Sequence, residues 1–518
     1  MNKYTLLDST LRDGAQGEGI SFSVEDKLAI VKALDAVGIT YIEAGNPGSN
    51  PKDLEFFRRA GELKLKNSEI VAFGSTRRKD ISVHDDQNLK ALLSAGTDTV
   101  AVFGKCSLLH IREVLGTTPD ENRAMICDTV SFLKGSGKTV IFDAEHFFDG
   151  YKEDARTAMD ALSAAKDGGA DIICLCDTNG GSFPDELHTI TGAVAKALEM
   201  PVGIHCHNDT GMAVANSIMA VKAGAVHIQG TFLGFGERTG NASLSIIIPN
   251  IQLKLGIRLI SDDGMRLLTP TALSVAETAN INMRGNEPYI GRSAFAHKAG
   301  MHADGVLKAP QSFEHINPQD VGNERRFLIS EITGRTALLE KLRGTFPELK
   351  KNSPELGLIL CKIKEKEHEG YQYEGAEGSF TLIVLEQLGR YKPFFELVHY
   401  KIIGEHPHAP GLSATALIKV SVSGQTQIAV VEGNGPVNAL DMALRRALEV
   451  FYPVLGSVRL IDYKVRVMDS RDATGAAVRV LITSTDGKRT WTTVGVSSDI
   501  IEASFIALTD SIEYILTM

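Results

Sequence analysis

A chain of 518 residues exceeds what one hydrophobic core usually serves, so two or three domains are expected. Hydrophobic residues make up 43% and charged residues 23%, a globular balance that excludes a disordered chain. The formal net charge is −10 and no run of Lys and Arg could track a phosphate backbone, which argues against a nucleic-acid partner.

The first half alternates short apolar runs with amphipathic stretches. The runs cover residues 4–11, 39–45, 69–74, 99–104, 139–146, 171–177, 202–209 and 227–234. Helical patterns lie between them, as at 24–37, 152–168 and 184–199. Apolar runs without polar alternation read as strands buried on both faces, as in a parallel sheet. Eight β-then-α units over about 250 residues predict an α/β chain opening with a (β/α)8 TIM barrel. A doubly wound open sheet permits the same alternation. The barrel is preferred because the chemical candidates end runs one, five, six, seven and eight, and a barrel gathers all strand ends around one axis.

Residues 261–342 read as mostly helical, interrupted by a Gly/His-rich stretch at 296–305, and 347–377 as helix plus linker. Strands at 380–388, 394–403, 415–423 and 427–432 then lead to a helix at 437–451. Strands at 458–467, 477–484 and 489–496 lead to a helix at 500–516. Two successive strand runs closing with a helix suggest an internal duplication in a separate α+β domain. The expected division is a barrel over 1–260, helical linker subdomains over 261–375 and the α+β domain over 376–518.

The six cysteines are scattered, give no disulfide framework and suit a reducing cytoplasm. The N-terminus lacks the apolar stretch of a signal peptide, and no apolar run reaches membrane-spanning length. A cytoplasmic location without a membrane partner is expected.

His205 and His207, two apart on a strand, point their rings to one face. With Asp13 they offer two imidazoles and a carboxylate to one ion, and Arg12 stands beside them. Such ligands fit Mn2+, Zn2+, Fe2+ or Co2+, and Mg2+ where water completes the shell. Taken singly, each is better read as a buried hydrogen-bonded residue. Three protein ligands leave positions open for a chelating substrate. Arg12 would polarise a carbonyl, or else form a salt bridge to a neighbouring carboxylate. Glu145, Asp177, Thr178 and Asn241 join the same rim. Cys174 and Cys176 read as core. Gly135-Ser136-Gly137-Lys138-Thr139 looks like part of a P-loop, but position 132 is Phe and the run precedes a strand.

The run from Asp8 to Gln16 (DSTLRDGAQ) resembles the signature of the 2-isopropylmalate, homocitrate and citramalate synthase family. So do His205-Cys206-His207-Asn208-Asp209, the run from Gly234 to Ala242 and the run from Ala299 to Gly305. Gly433-Asn434-Gly435-Pro436-Val437 and Val494-Gly495-Val496-Ser497 resemble its C-terminal effector domain. Residues 17–23 and 45–53 are most similar to the longer citramalate synthases. That resemblance implies condensation of acetyl-CoA with pyruvate, thioester hydrolysis, and release of (R)-citramalate and CoA on an isoleucine route. The alternative is a 2-isopropylmalate synthase acting on 2-oxoisovalerate for leucine. The family implies a divalent metal on Asp13, His205 and His207 with Asn241 near it. It also implies Arg12, Glu145 and Thr178 on the α-keto acid, and His302 in acid/base work from across a domain-swapped homodimer. The C-terminal domain would bind an amino-acid effector. The chain departs from the family at Phe313, where a tyrosine is common. A lyase would generally lack the C-terminal domain, and a degenerate sensor would not keep the polar set intact.

Overall fold

The computed structural model describes residues 3–298, 300–328, 333–409, 412–468 and 475–518. Ala299 of the quoted motif and residues 329–332 of the stretch read as helical lie outside the described residues. The chain forms two compact units, Met1–Phe295 with Ile316–Arg325, and Ala296–His315 with Arg326–Met518.

The first unit holds a closed barrel of strands β1 (Thr5–Asp8), β2 (Tyr41–Gly45), β3 (Glu69–Ser75), β4 (Thr99–Lys105), β5 (Thr139–Glu145), β6 (Ile172–Asp177), β7 (Val202–Cys206) and β8 (His227–Gly230). All neighbours run parallel, and β1 closes on β8. The helices that return the chain are α1 (Val24–Val37), α2 (Pro51–Ala60), α3 (Gln87–Ser94), α4 (Pro119–Gly135), α5 (Phe147–Asp167), α6 (Pro184–Leu198), α7 (Ala213–Ala223) and α8 (Leu244–Pro249). Local sequence sets their ends. Ser23 and Asp26 form a reciprocal capping box at the start of α1, and Gly38, at φ 100°, supplies the left-handed residue that stops it. Asn50 caps α2 with Pro51 in its first turn.

Alternation along the strands divides the barrel's residues. Leu6, Ile42, Ala72, Val100, Val102, Phe142, Leu175 and Ile204 join the large core shared with the helices. Leu7, Val71, Ala101, Ile141 and Ile172 form a separate small cluster inside the barrel. That apolar plug closes the bottom, and the next inward residues include Glu43, Asp143, His205 and Gln229, with Phe73 and Phe103 on β3 and β4.

Three runs end earlier than the apolar pattern suggests. The strand at 4–11 stops at Asp8, that at 202–209 at Cys206 and that at 227–234 at Gly230. The ladder stops where backbone groups find loop partners. Ser9 N–H donates to Gly230 O, and Phe232 N–H to the Thr10 hydroxyl. The helix expected at 152–168 begins earlier, at Phe147.

Residues 261–342 contain less helix than the sequence suggests. α9 (Asp262–Arg266) and α10 (Leu268–Thr278) complete the first unit's helices. In the second unit, β9 (Ala296–His297) pairs with β10 (Arg326–Phe327), and α11 (Gly300–Lys308), α12 (Arg335–Leu342) and α13 (Pro354–His368) follow the same region. The strand expected at 380–388 is instead helix α14 (Glu377–Gln387). Its run Phe380-Thr381-Leu382-Ile383-Val384-Leu385 is apolar on every side, so no helical period shows. Phe380 and Val384 pack with Ile359, Ile363 and Val494 in one core.

The rest of the unit repeats one pattern twice. β11 (Glu396–Ala409), β12 (Leu412–Val422) and β13 (Gln425–Gly433) form an antiparallel sheet followed by α15 (Pro436–Glu449). β14 (Arg459–Val467), β15 (Val478–Thr485) and β16 (Thr490–Ser497) form a second, followed by α16 (Ile500–Thr517). The duplication read from the pattern is therefore two three-stranded sheets, each closed by a helix.

Asp510 on α16 carries a pH-dependent share of this unit's stability. Its carboxylate accepts a bond of 2.5 Å from Ser379 on α14, while burial pushes its pKa up to about 7. A carboxyl raised in the fold stabilises below its unfolded value near 4, and that contribution is lost as pH rises through about 7. Asp510→Asn is therefore expected to gain stability relative to the parent between pH 4 and 8. The gain is on the order of 2 kcal/mol after solvent screening. Trp491 is the chain's one tryptophan; it is buried and bonded through Nε1 to Ser511, so its fluorescence during urea denaturation reports this.

Candidate active site

The polar inward residues open into a cavity of about 250 Å3 at the C-terminal mouth of the barrel, lined by Arg12, Asp13, Phe73, Phe103, Glu145, Thr178, His205, His207 and Arg238 among others. Asp13 and Arg12 lie past β1, in the turn that Ser9 and Thr10 tie to β8. That turn brings both adjacent side chains to the mouth, which a continuing strand would not. His205 lies in β7 and His207 just beyond it, its N–H donating to Asp177 O. The ring centroids of the two histidines are 5.2 Å apart.

Asp13 Oδ2 lies 3.6 Å from His205 Nε2 and 3.8 Å from His207 Nε2. These separations are too long for hydrogen bonds. Two ligands of one ion, each about 2.1 Å from it, sit about 3–3.5 Å apart. All three side chains are buried and form one of the two metal-capable groups among the described residues. Nδ1 of both histidines and Oδ1 of Asn241 are buried without a hydrogen-bond partner. Asn241 follows β8 in the loop that bridges back to His207, and its Nδ2 donates to Phe235 O. The donor set therefore fits a divalent ion.

The electrostatics agree. Burial opposes charge on Asp13, but Arg12 and the two imidazoles outweigh it and hold its pKa at about 2. Burial, with His207 adjacent, lowers the His205 pKa to about 3, so the ring is neutral with a free lone pair. Burial lowers His207 as well. Arg12 stays protonated although buried, because Glu43 and Asp13 face it. Its Nε donates to Glu43 Oε2 at 2.6 Å, its Nη1 to Asp13 Oδ2 at 3.1 Å, and its guanidinium lies 3.8 Å from the centre of the Phe73 ring. The salt bridge considered from the sequence is therefore present, and Arg12 still lines the cavity.

The Thr178 hydroxyl accepts the His146 N–H at 2.9 Å, which leaves its own proton free for the cavity. Glu145 pairs with Lys105, its register partner on β4. Asp177 does not line this cavity; it turns to the Ser182 hydroxyl and N–H, behind the rim. Arg238 clasps three loops, donating to both oxygens of Asp209 and to Thr178 O. His302 sits exposed on α11 in the second unit, stacked on Phe313 with centroids 4.3 Å apart.

Glu43, Phe73, Phe103, Lys105 and Asp143 escaped the sequence reading. Glu43 carried a signal, since a charged residue at a fully buried position in an apolar run demands a partner.

Three family models match the chain in sequence order. They are HMGL-like over residues 3–267, the homocitrate synthase post-HMGL domain-like over 289–370 and the LeuA allosteric (dimerisation) domain over 374–516. An (R)-citramalate synthase of Aquifex aeolicus is 50% identical over 99% of this chain and 97% of its own. The chain belongs to the (R)-citramalate synthase family. A second (R)-citramalate synthase, from Geobacter sulfurreducens, is 47% identical over 99% of this chain and 98% of its own. A 2-isopropylmalate synthase of Pyrococcus furiosus is more distant, at 31% over 97% of each. Among the described residues of this citramalate synthase family member, no helix is long and apolar enough to cross a membrane.

Proposed function

We propose that the barrel condenses acetyl-CoA with pyruvate and hydrolyses the thioester, releasing (R)-citramalate and CoA. The observation that carries this reading is the cavity's composition. Asp13, His205, His207 and Arg12 line it, and the Arg12 guanidinium lies on the Phe73 ring, which stacks on Phe103 with centroids 5.4 Å apart. The polar group suits a two-oxygen chelating ligand, and the two rings offer an apolar surface to a methyl.

Asp13, His205 and His207, with Asn241 beside them, would hold Mn2+, Mg2+, Zn2+ or Co2+. A bound divalent ion supplies Lewis-acid stabilisation of the oxygen that becomes negative. Arg12 lines the same cavity and adds a fixed positive charge there. Glu145 and Thr178 orient the keto acid. The acetyl methyl gives up a proton, its carbon bonds to the keto carbon, and the keto oxygen takes a proton as it becomes a hydroxyl. Water then cleaves the thioester and CoA leaves as the thiol. His302, from the linker of a partner chain, is the proposed proton carrier, since imidazole titrates in the right range. Phe313 stacks on it and has no hydroxyl to share the task.

The proposed division is a catalytic barrel over 1–260, linker subdomains over 261–375 and an effector and dimerisation domain over 376–518, in a cytoplasmic homodimer. The effector is an aliphatic amino acid, isoleucine. A cavity of about 530 Å3 beside Gly435 and Pro436 supports this reading. It offers Asp441 and Arg445 as charges and Val437, Val458 and Leu460 as apolar wall.

A substrate panel tests the reaction. With metal and acetyl-CoA, thiol release is expected with pyruvate and not with 2-oxoisovalerate or 2-oxoglutarate; the reverse order would overturn the pyruvate reading. In Phe103→Ala the kcat/KM ratio of 2-oxoisovalerate to pyruvate should rise about 10–100-fold, the effect of admitting methyl groups to an apolar pocket.

A further inference from the structure

Side chains alternate along a strand, so Cys174 and Cys176 of β6 share the barrel's interior face with Asp143 of β5. Asp143 is the register partner of Cys174, and Cys176 is that of His205. The two sulfurs and an Asp143 oxygen lie within 4.8 Å of one another. All three residues are buried, yet Asp143 and Cys176 reach the cavity, which gives an ion a route in. Gln229 on β8 orients Asp143 through a bond of 2.8 Å from Nε2 to Oδ1. The Oε1 of the same amide is buried and has no hydrogen-bond partner. The mechanism uses none of these groups.

Ligand softness separates this cluster from the first. Asp13, His205 and His207 suit hard and borderline ions, whereas two sulfurs select Zn2+, Cd2+ or Cu+ over Mn2+ and Mg2+. An orienting amide behind a ligating carboxylate is the arrangement metal sites commonly use. We propose that Asp143, Cys174 and Cys176 form a second, thiophilic metal subsite beneath the cavity, and that filling it stops turnover. Binding a dication there displaces the two thiol protons and the proton that burial favours on Asp143 to solvent, and forms two metal–sulfur bonds and one metal–oxygen bond with no change of oxidation state. The two thiolates balance the ion's charge, so the effect on turnover comes from drawing Cys176 and Asp143 out of the cavity lining.

The test titrates Cd2+ into the full chain already loaded with Mn2+. The expected result is a thiolate-to-cadmium ultraviolet band that saturates at one ion per chain. Activity should fall at least about 10-fold in parallel and return when a dithiol chelator is added. Cys174→Ser and Cys176→Ser should each lose the band, whereas Cys361→Ser, which removes the exposed thiol, should keep it. Asp143→Asn keeps the band and weakens Cd2+ affinity about 10-fold, a check that survives if a cysteine variant does not fold. The proposal is overturned by the absence of a saturable band, by a full band in Cys174→Ser, or by loss of the band in Cys361→Ser.

Discussion

Asp13→Ala is expected to abolish metal-dependent turnover, with kcat lower by about three orders of magnitude or more. Asp13 is the one carboxylate of the triad, and Arg12 donates to it. Its loss removes the anionic ligand and leaves two neutral imidazoles, so Mn2+ affinity should weaken at least about 100-fold. Equilibrium titration of Mn2+ and steady-state kinetics at saturating metal check the two effects separately. Thermal stability at neutral pH should fall modestly, because the fold holds the Asp13 carboxylate below its free pKa and Arg12 loses one partner. Unchanged turnover in this variant would remove Asp13 from the ligand set.

Arg12→Lys is expected to cost about 10²–10³ in kcat, the range for losing one preorganised donor at a developing oxyanion. The charge survives, but the fork does not. A lysine cannot donate to Glu43 and Asp13 at once while lying flat over Phe73. KM for the keto acid should move less than kcat, because the interaction strengthens as the oxygen gains charge. Glu43→Gln should show the same signature more weakly, since Glu43 holds Arg12 in place without lining the cavity. If kcat held and only KM rose, Arg12 would be a ground-state anchor.

The barrel was legible because its strands are buried on both faces, which leaves apolar runs with no competing pattern. β6 is the clearest case, with every residue buried. The His205–His207 pair was legible because period-two alternation is a local property. Glu43, Phe73, Phe103 and Asp143 were not, since each acts through a neighbour from a distant strand. Arg12 meets Glu43 across 31 positions, and Gln229 meets Asp143 across 86. Such pairings follow from barrel register, which local patterning does not encode. Helix α14 reads as strand for a related reason: a helix whose middle is apolar all round loses its period, and β-branched Ile383 and Val384 then favour strand. The two-sheet repeat in the second unit showed through because each copy ends in a helix long enough to keep its 3.6-residue rhythm.

One divalent ion held by Asp13, His205 and His207 and open to an α-keto acid is the centre of the proposed chemistry. Pulsed electron paramagnetic resonance of the Mn2+-loaded chain tests that directly. The predicted spectrum carries nitrogen couplings from two imidazoles, loses one in His205→Gln, and gains a carbon coupling when carbon-13-labelled pyruvate is added. Tightly bound Mn2+ without imidazole nitrogen coupling, or without coupling to the labelled keto acid, would contradict it.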